Sequence, residues 1–352
     1  MSEITSLTEL LRNSGAQLRF FDMGRRISKL STEQFAKIEN QQTPYPLPYL
    51  HHAWLALMLW NPKDKAQGVV WFLKLPLDEQ GFLVQAVRDD LLNRLLQNAN
   101  NLLNSGGDAD TPDALKDNPF SFKPDQEKMA VFHACSTLAT AEPPSSFYSH
   151  ARHYFSGADQ FQDWQSLGFQ GIADLVVRHQ QDNNSAMLAK AVPFLPDVPF
   201  EALCTCLENI EPDHGLYEAL CLRAEQTLSR GQADSNHIAA LIRGLSNGRD
   251  QSRKLNLLLQ IIDSDYALEP EVIAAVATRC TDSLQHPELL QPFLEKLAAG
   301  KAGQTGFSRI LSDLMFLPAL RALILMQFRG QQRSETLSQA IGQMFGQSFT
   351  TH

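Results

Sequence analysis

The chain has 352 residues, 43% hydrophobic and 20% charged, with a formal net charge of −9. This is the composition of a globular protein long enough for two domains. A broad phosphate-binding face is not expected: residues 1–142 carry 14 Lys/Arg against 17 Asp/Glu, and residues 143–352 carry 16 against 22, so neither half is basic, which argues against nucleic acid as a partner but leaves room for a small basic patch.

The opening segment MSEITSLTELL lacks the basic start and apolar middle of a secretory signal. Five cysteines without paired spacing suit free thiols in a reducing compartment. A cytoplasmic protein is expected. Ser6 with Glu9 forms a capping box before the first helix, which Gly15 stops. QLRFFDMG and RRISKL read as two short strands around a turn at Met23–Gly24. STEQFAKIEN follows as a helix, with Ser31 and Gln34 as a second capping box. The prolines at 44, 46 and 48 keep QQTPYPLPYL out of both helix and sheet.

His52–Trp60 and Gly68–Leu75 are nearly continuous apolar runs joined by the short polar link NPKDKAQ. They predict a hairpin. A half-exposed strand alternates and these do not, so helices are expected on both faces of the sheet. An amphipathic helix is predicted from about Phe82 to Asn100, with Leu83, Val87, Leu91, Leu95 and Leu96 on one side. Residues 104–113 read as a polar loop. A helix around DQEKMAVFHACSTLA and a boundary at AEPPSS close the first half.

From Pro199 the sequence repeats every 35 residues. Leu203, Ile238 and Ile273 are in phase, as are Cys206, Leu241, Val276 and Leu311, and Ile210, Leu245, Cys280 and Met315. Within a repeat these positions are three and four apart, which puts them on one helical face. A second helix per unit carries Leu220, Leu255 and Leu290, then Ala224, Leu259 and Leu294. Helix pairs that share a continuous core make an α-solenoid. The period is near that of tetratricopeptide repeats, but their Trp-Leu-Gly-Tyr pattern is missing, so a HEAT-like array is expected. Residues 304–332 form a degenerate fourth unit and SETLSQAIGQMFGQ a closing helix. In Ile310–Phe328, the most apolar late stretch, Asp313, Pro318 and Arg321 favour a helix pair over a membrane span. Gly168 and Gly171 fall out of phase, so 143–198 reads as a helical connecting or capping region. The predicted organisation is an α+β domain over 1–142, with a short antiparallel sheet covered by helices, then that connector, then a solenoid over 199–346.

Several residues have both a possible chemical role and a plain structural one. Lys74 ends an apolar strand as the strand lysine of protein kinases does, but no glycine-rich loop, His-Arg-Asp or Asp-Phe-Gly accompanies it. A snorkelling lysine fits better. Asp78 and Glu79 form a carboxylate pair, with Asp78 placed to cap the next helix. Arg25 and Arg26 follow Asp22 and Gly24 in a turn that suits an anion or an ion pair with Asp22. His150 and His153 are three apart on a helix, but no local acid or cysteine completes a metal set. Cys204, Cys206, Cys221 and Cys280 fit small apolar core positions. No G-x-S-x-G, P-loop or dinucleotide fingerprint is present. No cofactor and no metal are expected. Tyr45 and Tyr49 stand in the proline-rigid segment, either presented to a partner or packed as a lid.

The stretches FFDMGRRI, PYPLPYLHHAW and WFLKLPLDEQG resemble a family of full-length γ-proteobacterial proteins known only as a domain of unknown function. The resemblance covers nearly the whole chain. It implies a bacterial cytoplasmic protein and supplies no activity, cofactor or catalytic residue. The reading is a protein-binding scaffold or adaptor that uses the helical-repeat surface, with a second docking site at Asp22, Arg25, Arg26, Tyr45 and Tyr49. The second reading is an enzyme or small-ligand sensor with a pocket at the sheet–solenoid junction, formed by Arg25, Lys74, Asp78 and Glu79. RNA binding by Lys301, Arg309, Arg321, Arg329 and Arg333 is the third and least favoured.

Overall fold

The computed structural model of the chain describes residues 6–9, 17–61, 64–104, 118–330 and 333–347. The helix stop at Gly15, the loop over 105–113 and the side chains of Leu95 and Leu96 lie outside the described residues. The chain divides into two compact units, Met1–Asp125 and Gln126–His352.

In the first unit, β1 (Gln17–Asp22), β2 (Ser28–Leu30), β3 (His52–Asn61) and β4 (Asp64–Pro76) form one antiparallel sheet in the order β2-β1-β3-β4. The hairpin is tighter than expected: Asn61 pairs with Asp64, so β4 takes up most of the polar link. The cross-strand register puts Phe20, Leu57, Leu55, Leu73 and Leu75 on one face. Helix α1 (Thr32–Glu39) lies on that face, its Phe35 ring stacked on Phe20 with centroids 4.1 Å apart. Ser31 caps α1 by accepting from the Gln34 amide at 3.0 Å. Helix α2 (Gln85–Asn104) runs beside α1, where Gln85 and Arg88 donate to the Glu39 carbonyl. The buried Glu39 carboxylate accepts from the Leu7 amide and from the amide and hydroxyl of Thr8. Ser6 accepts from the Glu9 amide at 3.1 Å, the first half of its capping box.

The same register defines the opposite face. It carries Phe21, Trp54, Ala56, Phe72 and Lys74. Within this unit a turn at 118–121 leads into a short bridge to β4 at Ser121: the Lys74 amide donates to the Phe120 carbonyl at 2.7 Å and the Phe122 amide to the Phe72 carbonyl at 3.1 Å. The Phe122 ring then meets Trp54 edge-on at 4.8 Å. Phe122 thus packs on part of this face, against Trp54 and Phe72.

The second unit is a stack of helix pairs. Its helices are α3 (Gln126–Ala139), α4 (Tyr148–Phe155), α5 (Phe169–Val177), α6 (Asn184–Ala191), α7 (Asp197–Leu207), α8 (His214–Arg230), α9 (Ser235–Leu245), α10 (Gln251–Asp263), α11 (Pro270–Arg279), α12 (Pro287–Ala299), α13 (Gly303–Met315), α14 (Pro318–Arg329) and α15 (Glu335–Gln347). The odd-numbered helices α3 to α13 pack on one another in order and form one layer. The even-numbered α4 to α12 form the other, which α15 continues by packing on α12. Residues 310–328 are the helix pair expected there. Among the described residues no helix is long and apolar enough to cross a membrane.

The 35-residue lattice holds in the first layer. Leu203, Ile238 and Ile273 are buried, as are Cys206, Leu241, Val276 and Leu311. Ile210 and Met315 are half-buried, because α7 stops at Leu207 and Met315 is the last residue of α13. In the second layer the lattice slips. Helix α8 buries Tyr217, Leu220, Cys221 and Ala224, α10 buries Lys254, Leu257, Leu258 and Ile261, and α12 buries Leu290, Phe293, Leu294 and Leu297. The equivalent positions step by 37 and then 36, and Leu255 and Leu259 are only half-buried. Each helix turns to bury its own apolar stripe, and nothing forces the connecting loops to equal length.

The stack also begins earlier than Pro199. Helices α3 to α6 occupy the same two layers, although the sequence reading grouped α3 with the sheet and took 143–198 for a connector. Gly171, which looked like a gap in the lattice, is a point of close approach. A Cβ there would stand 2.6 Å from the Phe147 carbonyl oxygen and 3.1 Å from the Ala151 Cβ. A buried ion pair locks this region: Arg178 donates to Asp174 at 2.9 Å and to the Thr137 hydroxyl at 3.0 Å, and Asp174 accepts from the Ser145 amide at 3.1 Å.

Candidate functional site

The three sequence motifs of the first unit come together. Asp22, at the end of β1, is 2% exposed, and its carboxylate accepts from the Tyr45 hydroxyl and from the Gly24 amide at 2.8 Å. Burial and the adjoining Asp22 charge push the Tyr45 hydroxyl well above its ordinary pKa, so it remains a donor. Arg25 is also buried, donates Nε to the Pro48 carbonyl at 2.9 Å and lies over the Tyr49 ring. The Trp54 indole donates to the Tyr49 carbonyl at 2.9 Å, and the Lys74 ammonium sits 4.6 Å from the Trp54 ring centroid. FFDMGRRI, PYPLPYLHHAW and WFLKLP therefore form one interlocked body.

That body uses its polar groups internally. Asp22, Arg25 and Tyr45 are bonded inside the unit and hold the proline segment against the sheet. Tyr49, Arg26 and Lys74 keep partial exposure. Asp78 and Glu79 are exposed, and Asp78 does not cap a helix directly. Its carboxylate accepts from the Gln80 amide at 2.9 Å and the Phe82 amide at 3.0 Å, which folds 78–82 into a turn and delays α2 to Gln85. The Leu50–His51 turn before β3 is strained. Both residues have positive φ, 49° and 63°, and Tyr49 and His52 exchange two backbone bonds of 3.1 Å across it.

A family model matches residues 2–345, and its description is a protein of unknown function. The chain belongs to that family, DUF3549. No curated protein and no solved structure matches it.

In the second unit of this DUF3549 chain the histidines and cysteines have separate roles. His150 meets the Ser166 hydroxyl at 3.1 Å and His153 meets Asp159 at 2.8 Å, so they do not share a ligand. Among the described residues no group of three or more His, Cys, Asp or Glu has the arrangement of a metal site. Burial pushes the Cys135 thiol up to about 12 and the Cys221 thiol up to about 11, and raises Cys204 and Cys206 as well. These thiols stay protonated and act as apolar filling.

Three polar groups of the stack escaped the sequence reading. Arg279 makes a bidentate pair with the buried Glu208, at 2.7 and 3.0 Å. The Lys254 side chain, 1% exposed in an apolar slot, donates to Asp282 at 2.6 Å and to the Ser246 carbonyl at 3.2 Å. Phe200 lies between the Arg223 guanidinium, 4.0 Å from its centroid, and the His237 ring, 5.2 Å away. A signal was present for some of these: Glu218 and Arg253, which pair, are 35 apart, as are Glu208 and Arg243, which lie 3.9 Å apart. The repeat had been followed only through its apolar positions.

Helix α14 is rich in apolar residues, yet only its Leu320 and Ile324 are buried. Met326 is 66% exposed and Leu325 37%, and Phe345 of α15, 38% exposed, meets Phe328 edge-on. Ala319, Ala322, Leu325, Met326 and Arg329 share the outward side of α14.

Proposed function

We propose that this protein is an adaptor that captures a partner protein on the outward face of α14 and α15. The observation that carries this reading is the exposure of α14. An outermost repeat normally turns a polar face to water. Here Leu325, Met326 and Phe345 stay in solvent, and clustered exposed apolar side chains mark interaction sites. Exposed Arg329 borders the patch and Arg333 follows just beyond the helix. Apolar side chains edged by arginines suit an amphipathic helix with acidic flanks. They suit RNA less well, which takes broader basic surfaces. Tyr49, Trp54 and Lys74 of the first unit are a second, smaller aromatic surface open to a partner.

The test is affinity capture from the native cell extract with the full chain and with a Leu325→Asp, Met326→Asp variant of equal melting temperature. The expected outcome is loss of specific partners from the variant alone. Identical partner sets from both would refute the proposal.

A further inference from the structure

A cavity of about 700 Å³ opens between the N-terminal turns of α7 and α9 and the C-terminal half of α8. That volume is in the range of small-molecule pockets and far beyond what a bare ion fills. Its walls carry charges of both signs. Asp197, Asp234, Arg223 and Arg230 all line it, with Arg223 next to Asp197, and Leu195 adds apolar surface.

His237 reaches into this cavity and is 5% exposed. Its Nδ1 is buried and makes no hydrogen bond. The closest charged atoms to it are carboxylate oxygens of Asp197 at 3.4 Å and Glu201 at 3.5 Å. Asp197 and Glu201 lie one turn apart on α7 and approach Nδ1 together. Burial pushes the His237 pKa below its ordinary value, so the ring is neutral near pH 7. If Nδ1 carries the ring proton, no acceptor is close enough for a good bond. If it carries the lone pair, that pair faces two negative charges. Each arrangement is costly in a buried place. Arg223 does not relieve it, because its guanidinium donates to the Val192 and Leu195 carbonyls, at 2.7 and 2.8 Å, and to Asp197.

A primary ammonium group would satisfy all of these atoms at once. It has three donors and a positive charge, for one imidazole acceptor and two carboxylates. Arg230, exposed at the end of α8, also lines the cavity and makes no ion pair among the described residues, which suits it to a carboxylate. We propose that the cavity binds a free α-amino acid, with its ammonium at His237, Asp197 and Glu201 and its carboxylate at Arg230. This site lies on other helices than the α14 surface and does not depend on the adaptor reading.

The experiment is calorimetric titration of the full chain with the twenty amino acids. The best binder is then repeated as its N-acetyl and carboxamide derivatives. Asp197→Asn and Arg230→Gln are the variants, since both side chains are exposed and their removal spares the core. The expected result is saturable binding of at least one amino acid. Each derivative and each variant then weakens it roughly tenfold or more, the loss that follows from removing a charged hydrogen bond. In the same titration the His237 nitrogen resonances move to those of a ring protonated at Nε2 with Nδ1 accepting. No saturable binding by any amino acid would overturn the proposal. So would an N-acetyl derivative that binds as tightly as its parent, or affinity that is unchanged in Asp197→Asn.

Discussion

At the scale of single residues, the Leu50–His51 turn concentrates strain. A two-residue turn of this hand requires two consecutive positive φ values, and Asn-Gly is the pair that adopts them cheaply. Leu50 and His51 do so at 49° and 63°, at about 1–2 kcal/mol each. The turn is held by the Tyr49–His52 pairing and by the Leu77 amide, which donates to the His51 carbonyl at 3.0 Å. His51→Gly keeps those backbone bonds and removes the steric cost. The urea midpoint is expected to rise, with a gain of roughly 1 kcal/mol; a fall would show that the His51 side chain contributes more than the strain costs. Residues of this kind explain what the sequence concealed. Asp22, Arg25 and Tyr45 looked like groups on offer to a ligand, because charge and hydroxyl were legible and burial was not. Pro48 and Tyr49, far from Arg25 in sequence, cover its guanidinium.

At the scale of elements, two helices test how the stack is held. Gly171 allows α5 to press against the start of α4, and a methyl group there meets the Phe147 carbonyl. Overpacking at such a contact costs ~1–3 kcal/mol, while the gain in helix propensity over glycine returns ~1. Gly171→Ala is therefore expected to destabilise the chain in a urea melt. Gly342→Ala in α15, where nothing lies within 4 Å, is expected to stabilise it. If both changes stabilise, the close approach of α4 and α5 is wrong. Lys254 is the second case. It fills the slot taken by Tyr217 in α8 and Leu290 in α12. Lys254→Met keeps the bulk and removes the charge, which is often neutral for a buried ion pair. Asp282→Asn leaves the ammonium in place with a weaker acceptor, at ~1–3 kcal/mol. Thermal denaturation should rank the aspartate change as the worse of the two; the reverse order would mean that Lys254 stabilises through its charge.

The elements also mark how far periodicity could be read. The first layer kept its 35-residue phase, with Leu203, Ile238 and Ile273 all buried. The second layer slipped by one or two residues at loops whose length no packing constrains. The unbroken apolar runs of β3 and β4 predicted burial on both sides. On the second face Trp54, Met58 and Phe72 are half-buried and Val70 is 37% exposed, a difference that the apolar runs alone do not encode.

At the scale of the whole molecule, the stack is the feature on which the functional reading depends. Two layers of helices begin at α3 and run to α13 and α15. Near the start the Asp174–Arg178 pair and its bonds to Thr137 and Ser145 tie α3 to α5. At the far end Leu325 and Met326 of α14 stay in solvent, and the adaptor proposal follows from them. Sequence periodicity put the start of the array at Pro199; packing puts it at Gln126, because Gly168 and Gly171 break the apolar phase without breaking the stack.

The most direct measurement is a pair of urea unfolding curves, one for residues 126–352 and one for residues 199–352, followed by far-ultraviolet circular dichroism. If the stack runs from α3, the longer fragment unfolds in a single cooperative transition. The shorter one, with the α7 face around Phe200, Leu203 and Cys204 uncovered, melts at clearly lower urea or fails to fold. Equal midpoints for the two fragments would contradict a stack that begins at α3.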